Sequence, residues 1–201
     1  SKNFNNFFVF TPLYIKKNYP KLNWTTKNYK KYYLKNINKS NLKFNPYWLA
    51  NGLQSWKPQI ILCYLNKMKK DDYLIYHDIN FKKYEYYLEN FNLNQNYFKK
   101  IINNKSIILF RDTYQSIEMQ CKSGLIKKYL NKNFNINNNG FWSGLIIIKN
   151  DTKGKRFLQN WCKLSTISNL DPISKKDDLD NPRFAINSVD QSTLSILYYS
   201  N

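Results

Sequence analysis

A single α/β domain spanning residues 1–201, built around a mostly parallel sheet, is what the sequence predicts, and three observations carry that expectation. The runs "SIILF" (106–110) and "GLIIIK" (144–149) are apolar without alternation, the pattern of strands covered on both faces. These runs and "YLIYH" (73–77) alternate with stretches of helical period. The chain of 201 residues, 42% hydrophobic and 17% aromatic, is long enough for one sizeable core and short for two.

In chain order, "FFVF" (7–10) reads as a buried strand stopped by Thr11-Pro12. A polar stretch with interspersed aromatics follows, with a helix over 26–34. Pro58 suits the first turn of the next helix, where its missing N–H costs nothing. Ile60, Ile61, Tyr64, Leu65 and Met68 then fall on one helical face, and Lys67, Lys69 and Lys70 close it against the dipole. Asp71-Asp72 make the turn into the 73–77 strand. Further helices are predicted over 94–102, 123–131, 153–164 and 189–199, and 171–184 is a polar loop with two prolines expected to be mobile.

The formal net charge of +19 is the most prominent bulk feature. Only Arg111, Arg156 and Arg183 are arginine, and the lysines are spread along the whole chain. Nucleic-acid binders usually concentrate basic residues on one element and use arginine for bidentate contacts. Lys, Asn, Ile, Tyr and Phe share AT-rich codons, so nucleotide bias accounts for much of this composition. Nucleic acid is therefore not the expected partner, although such a surface also attracts phosphates and anionic membranes. No apolar stretch reaches eighteen residues and the N-terminus lacks a secretion signal, so a cytoplasmic protein is expected, at most peripheral to a membrane. Cys63, Cys121 and Cys162 have no metal-ligand spacing and read as small apolar fillers in a reducing compartment.

Three places have the residue types for chemistry. Thr11, Asp78 and Asn80 follow strands, where open α/β sheets bind ligands, and a carboxylate beside another oxygen donor suits a hard divalent cation. Asp78 as an ordinary turn aspartate is the competing account. "SVDQS" (188–192) has capping-box spacing from Ser188 to Gln191, and the same geometry points Asp190 and Gln191 from a helix start into a cleft. "YWLANGLQSWKP" (47–58) places Trp56 and Lys57 before a helix, either as a stacking and phosphate-pairing site or as core filling.

The order of these pieces resembles a group of small GT-A-fold nucleotide-sugar glycosyltransferases found among bacterial surface-polysaccharide and giant-virus enzymes. The residues that carry the likeness are "YWLANGLQSWKPQIILCYLNKMKKDDYLIYHDIN", then "EMQCKSG", "GLIIIKN", "FLQNWCKL" and "VDQSTLSIL". The resemblance implies a GT-A-like three-layer α/β/α sandwich with a mostly parallel central sheet. It further implies sugar transfer from a UDP- or GDP-sugar donor to a glycan, lipid-linked or protein acceptor, assisted by Mn²⁺ or Mg²⁺. Asp78 would be the metal ligand; Asp190 and Gln191 would be catalytic, facing the donor sugar or acceptor; Thr11, Trp56, Lys57, Asn80 and Lys122 would bind substrate. The chain departs from the pattern at Tyr76, where a D-x-D motif has its first carboxylate, and at Asn80, Val189 and Gly124, where the family has glycine, histidine and an acid. Two other classes stay open: a basic nucleic-acid-binding domain, and a catalytically inactive binding module of the same fold.

Overall fold

The computed structural model describes residues 17–18, 55–78, 100–165, 183–184 and 189–200. The strand expected at 7–10 with Thr11, the helix at 26–34, Asn80 and most of the 94–102 helix and the 171–184 loop lie outside the described residues.

Helix α1 (Lys57–Leu65) starts as Pro58 dictates and buries Lys57, Pro58, Ile60, Ile61 and Leu65. It ends before Lys67, earlier than the lysine-rich stop expected. Asp71, in the left-handed region at φ 70°, turns the chain into strand β1 (Tyr73–His77). Strand β2 (Ile107–Ser116) leads through the short helices α2 (Ile117–Gln120) and α3 (Ser123–Tyr129) to β3 (Asn139–Lys149). Helices α4 (Thr152–Ser165) and α5 (Val189–Tyr199) complete the described elements.

The strands form a three-stranded sheet in the order β1-β3-β2, with both pairings antiparallel. This corrects the mostly parallel central sheet and the GT-A-like three-layer sandwich expected from the sequence. The run at 144–149 is covered on both faces as expected, whereas 106–110 is only half-buried, and burial on both faces does not report strand direction. β3 is the central strand, and Leu145, Ile146, Ile147 and Ile148 are all buried. Any central strand with both faces covered has this pattern, whichever way its neighbours run.

Among the described residues, one helical layer packs on the sheet. α1 lies against α4 and β1, and α5 lies against β3 and α4. α4 buries Gly154, Leu158, Trp161 and Ser165, a stripe spaced for one helical face. Asp151 caps α4 through the Gly154 N–H at 2.7 Å, and its other oxygen accepts from Ser106 Oγ at 2.6 Å, tying the helix start to β2. Trp161, Leu158, Ile60, Ile61, Leu65, Ile146, Ile148, Leu194 and Ile196 form the centre of the core. Each of these large side chains contributes about 1.5–3 kcal/mol through its removal from water. Cys121 is a buried free thiol, pushed up to about 12 by burial, and so is chemically inert. No helix among the described residues is long and apolar enough to cross a membrane.

Gly154 is where the β3–α4 connection is tightest. A Cβ there would fall 2.2 Å from the Lys149 carbonyl oxygen and 2.9 Å from Ile148 Cγ2. Gly154→Ala is expected to destabilise by about 1–3 kcal/mol through overpacking, more than the helix-propensity gain of about 1 kcal/mol. A lower urea midpoint with an unchanged slope checks this; an unchanged or higher midpoint counts against the close approach.

Candidate functional site

Lys57 lies on the same stripe of α1 as Ile60, Ile61 and Leu65, so packing that helix carries an ammonium group into the interior. Its side chain is 0% exposed. A charge in that position has to be paired and fully hydrogen-bonded, and three elements supply the partners. Lys57 Nζ is 2.6 Å from Asp190 Oδ2 at the start of α5 and 2.9 Å from Asp78 Oδ2 just past β1. Ser143 Oγ of β3 accepts from it at 3.3 Å and donates to Asp190 Oδ2 at 2.6 Å. Asp190, Asp78 and Ser143 Oγ thus give each of its three N–H donors a partner, and the Ser143 carbonyl oxygen lies 3.5 Å away as well. Burial by itself would lower the Lys57 pKa, but the charges of Asp190 and Asp78 and their hydrogen bonds raise it above the ordinary 10.5.

Tyr76 completes the cluster. It shares a face of β1 with Asp78, two residues on, and its phenol donates to Asp78 Oδ1 at 2.6 Å. Burial and the adjacent Asp78 charge raise the phenol well above its ordinary 10.0, which keeps it a neutral donor. Its ring also lies 5.4 Å from Lys57 Nζ. His77 takes the other face, where its ring meets Trp142 edge-on at 6.0 Å. Partial burial lowers the His77 pKa below the ordinary 6.5, outweighing the nearby Asp78 charge.

A bulge in β3 brings Ser143 to Lys57. Between the pairs Leu109–Ile146 and Phe110–Trp142, β2 advances one residue while β3 covers four. Ile146 and Ile148 face the helix layer, and so do Phe141 and Ser143, so the alternation changes phase between Ser143 and Ile146. Without that insertion Ser143 would point away from Lys57.

Asp190 is held in turn by the helix that carries it. Trp161 Nε1 donates to the Asp190 carbonyl at 3.2 Å and to Thr193 Oγ1 at 3.0 Å, clamping the first turn of α5 onto α4. A carboxylate in the first turn is also favoured by the helix dipole. The Asp190 side chain is 8% exposed and that of Asp78 38% exposed. Asp78 is therefore the accessible carboxylate of the cluster, which sums to one negative charge: two aspartates against one lysine.

Of the residues singled out from the sequence, Lys57, Asp78 and Asp190 meet in one network. Gln191 turns elsewhere, donating to Asp112 Oδ2 at 2.7 Å and Gln115 Oε1 at 3.4 Å on β2. Trp56 is a core residue, 8% exposed, so its indole takes the core-filling alternative. Lys122, 4% exposed, precedes α3, and its carbonyl accepts from the N–H groups of Leu125 and Ile126. Thr11 and Asn80 lie outside the described residues. Two members of the network were not anticipated. Tyr76 was legible as the same-face neighbour of Asp78 but was read as a missing carboxylate; nothing in the sequence marks the bulge that recruits Ser143.

The donor set bears on the divalent ion that the resemblance implies. No group of three or more His, Cys, Asp or Glu side chains able to hold a metal occurs among the described residues. The accessible donor is the half-exposed Asp78 carboxylate, whose oxygens each accept one hydrogen bond and retain further acceptor capacity. One carboxylate with residual negative charge fits Mg²⁺ or Mn²⁺ whose other ligands are substrate phosphates and water.

Comparisons with protein-family models, curated proteins and solved structures return no significant match.

Proposed function

We propose that the chain is a glycosyltransferase that moves a sugar from a UDP- or GDP-linked donor to an acceptor hydroxyl on a glycan, lipid-linked or protein acceptor. The observation that carries this reading is the meeting of the W-K-P lysine, the Y-x-D aspartate and the D-Q-S aspartate on one buried ammonium. These motifs are 21 residues apart in one case and more than a hundred in the other, and neither capping nor turn chemistry requires them to meet.

In this reading Asp78 presents its carboxylate to a Mn²⁺ or Mg²⁺ ion shared with the donor diphosphate. When bound, that ion offsets the charge that develops on the leaving nucleoside diphosphate. Lys57 and Tyr76 fix the two oxygens of Asp78, so its orientation is set before the donor arrives. Asp190, which the resemblance makes catalytic, is better suited to holding Lys57 in place, since its Oδ2 already serves both Lys57 and Ser143. The basic surface raises the local concentration of an anionic donor and favours contact with anionic membranes.

A thermal-shift series with nucleoside diphosphates and nucleotide sugars, with and without Mn²⁺, tests the proposal. Ligand at a hundred times its Kd stabilises the fold by about 2.7 kcal/mol. The expected result is a metal-dependent rise in Tm for one base. No shift with any nucleotide under either condition overturns it.

A further inference from the structure

We propose that the turn after α1, the residue leading into β2 and the first turns of α4 form one cationic face that binds anionic phospholipid membranes. This goes beyond the sugar-transfer reading and does not depend on it. β1 and β2 begin, and β3 ends, at the same end of the sheet, since Tyr73 pairs with Lys149 and Ile107 with Ile148. Lys67, Lys69 and Lys70 precede β1 there, and Lys105 precedes β2. Lys149 closes β3, and Lys153, Lys155 and Arg156 follow at the start of α4. These side chains are far apart in the sequence, and the fold gathers them at one end of the molecule's sheet.

Asn150 ties the segments together. Its Nδ2 donates to the carbonyls of Met68 at 2.8 Å and Lys69 at 3.0 Å, and its backbone N–H donates to the Asp72 carbonyl at 2.7 Å. The Lys149 N–H donates to the Ser106 carbonyl at 2.8 Å, which brings Lys105 to the same place. All eight cations are exposed or half-buried, and the carboxylates among them are Asp71, Asp72 and Asp151: eight positive charges against three negative, a net +5. Asp71 is already paired with Lys149 at 2.9 Å, and Asp151 is engaged by Ser106 and the Gly154 N–H. The other four described carboxylates, Asp78, Asp112, Glu118 and Asp190, lie toward the opposite end, where Lys57 and Lys122 are buried and Arg183 stands 3.6 Å from Glu118.

The first turn of α4 adds a second observation. It carries Lys153 and Lys155 and no acidic residue. The positive end of a helix dipole disfavours cations at that position, so these two lysines work against the stability of their own helix. Charge placed against local stability fits a partner that repays it. The chemistry of the face selects a membrane over nucleic acid. Seven of the eight cations are lysines, point charges suited to a diffuse negative surface, and Arg156 is the one guanidinium. Single-stranded nucleic acid is held by stacking on aromatic rings, and the exposed large apolar side chains among the described residues, Tyr114, Trp142 and Tyr198, are all toward the other end of the sheet. Clusters of about four to eight basic residues are what the anionic cytoplasmic leaflet attracts. β1 carries the chain about 20 Å from Asp72 to Asp78, so a membrane on this face leaves the Asp78 cluster clear of the surface.

Co-sedimentation with phosphatidylcholine vesicles, with and without phosphatidylserine, tests the proposal. The wild type is expected to bind the anionic vesicles alone, and less tightly as salt is raised. The triple variant Lys69→Glu, Lys70→Glu, Lys153→Glu is expected to lose affinity by about tenfold or more. Its urea midpoint should not fall, because the three side chains are exposed and glutamate suits the start of α4. Lys127→Glu, Lys128→Glu, Lys132→Glu makes the same change in net charge on and just after α3, away from this face, and should keep most of the binding. Equal losses in the two triple variants would make the attraction a matter of net charge and overturn the assignment. Wild-type protein that ignores phosphatidylserine, or that binds duplex DNA or RNA and not the vesicles, would overturn it too. Nucleotide binding is read separately in the thermal-shift series, so either proposal can fail while the other stands.

Discussion

Lys57→Met is expected to lower the stability of the fold by about 3–5 kcal/mol, the range found when one partner of a buried ion pair is removed. Methionine matches the length and apolar body of lysine, so the loss comes from the charge and not from a cavity. It leaves Asp190, 8% exposed, with a carboxylate whose main counter-charge is gone and whose remaining Oδ2 contact is Ser143 Oγ. A fall in the urea midpoint at constant slope is the measurement. The double variant Lys57→Met with Asp190→Asn removes both buried charges and should recover part of the loss; strict additivity of the two single effects would mean that the pair is not coupled.

The same lysine sets a pH dependence. Its pKa is raised in the folded protein above the ordinary 10.5, so its contribution is fully present below that value. As the pH climbs past 10.5 and through the higher folded value, the contribution is lost, because the unfolded chain releases the proton first. The difference in stability between wild type and Lys57→Met is therefore constant from neutral pH up to about 10 and narrows in stronger alkali. A difference that narrowed at pH 7–9 would contradict a charged Lys57.

Asp78→Asn is expected to do the reverse: little to stability and much to binding. The side chain is 38% exposed, and Lys57 keeps Asp190 and Ser143 when the Asp78 charge is removed. Asparagine keeps the shape and one acceptor oxygen but loses the charge a divalent ion needs. Metal-dependent affinity for the nucleoside diphosphate should fall on the order of 100-fold or more, while the urea midpoint moves little. Chelation of the metal in wild type should produce the same loss, and should add nothing to the variant. Undiminished Mn²⁺-dependent binding in Asp78→Asn would remove Asp78 from the metal site.

The contrast between these two variants is informative because the residues touch each other. If the cluster were only a structural ion network, both substitutions would act mainly on stability. If Asp78 is held for a ligand, Lys57 governs the fold and Asp78 governs the ligand, although only 2.9 Å separates their charged atoms.

Much of the local structure was legible in the sequence. Pro58 marked the start of α1, the run 73–77 marked β1 residue for residue, and α5 has the predicted bounds of Val189–Tyr199. These elements depend on contacts within a few residues: a missing N–H, a period of two, a period of 3.6. The candidate residues Lys57, Asp78 and Asp190 were also picked out from the sequence, because each follows or begins such an element.

Strand direction was not legible. Leu145 to Ile148 read as doubly buried, and are, but the sheet they centre is antiparallel. Strand order depends on how the connections route the chain, and side-chain burial is the same for either direction. The interior of the cluster was equally hidden. Lysine at position 57 reads as a phosphate-pairing residue just before a helix, until α1 packs and its apolar stripe carries position 57 inside with Ile60 and Ile61. Tyr76 read as a missing acid; in the fold it is the donor that holds Asp78. Gln191 read as a site residue, yet its amide reaches Asp112 on β2, a neighbour set by strand placement alone.

Among the described residues, the sequence by itself determined the helices that begin at Lys57, Thr152 and Val189, the strand Tyr73–His77 and the three charged residues at or beside their ends, since these follow from short-range sterics and hydrophobic period. Only the tertiary structure decided that Lys57 is buried between Asp78 and Asp190, that a bulge turns Ser143 toward it, and that Trp142 rather than Trp56 faces outward. Those outcomes depend on register and packing between segments far apart in the chain, where one extra residue in a strand reverses the face of every side chain beyond it.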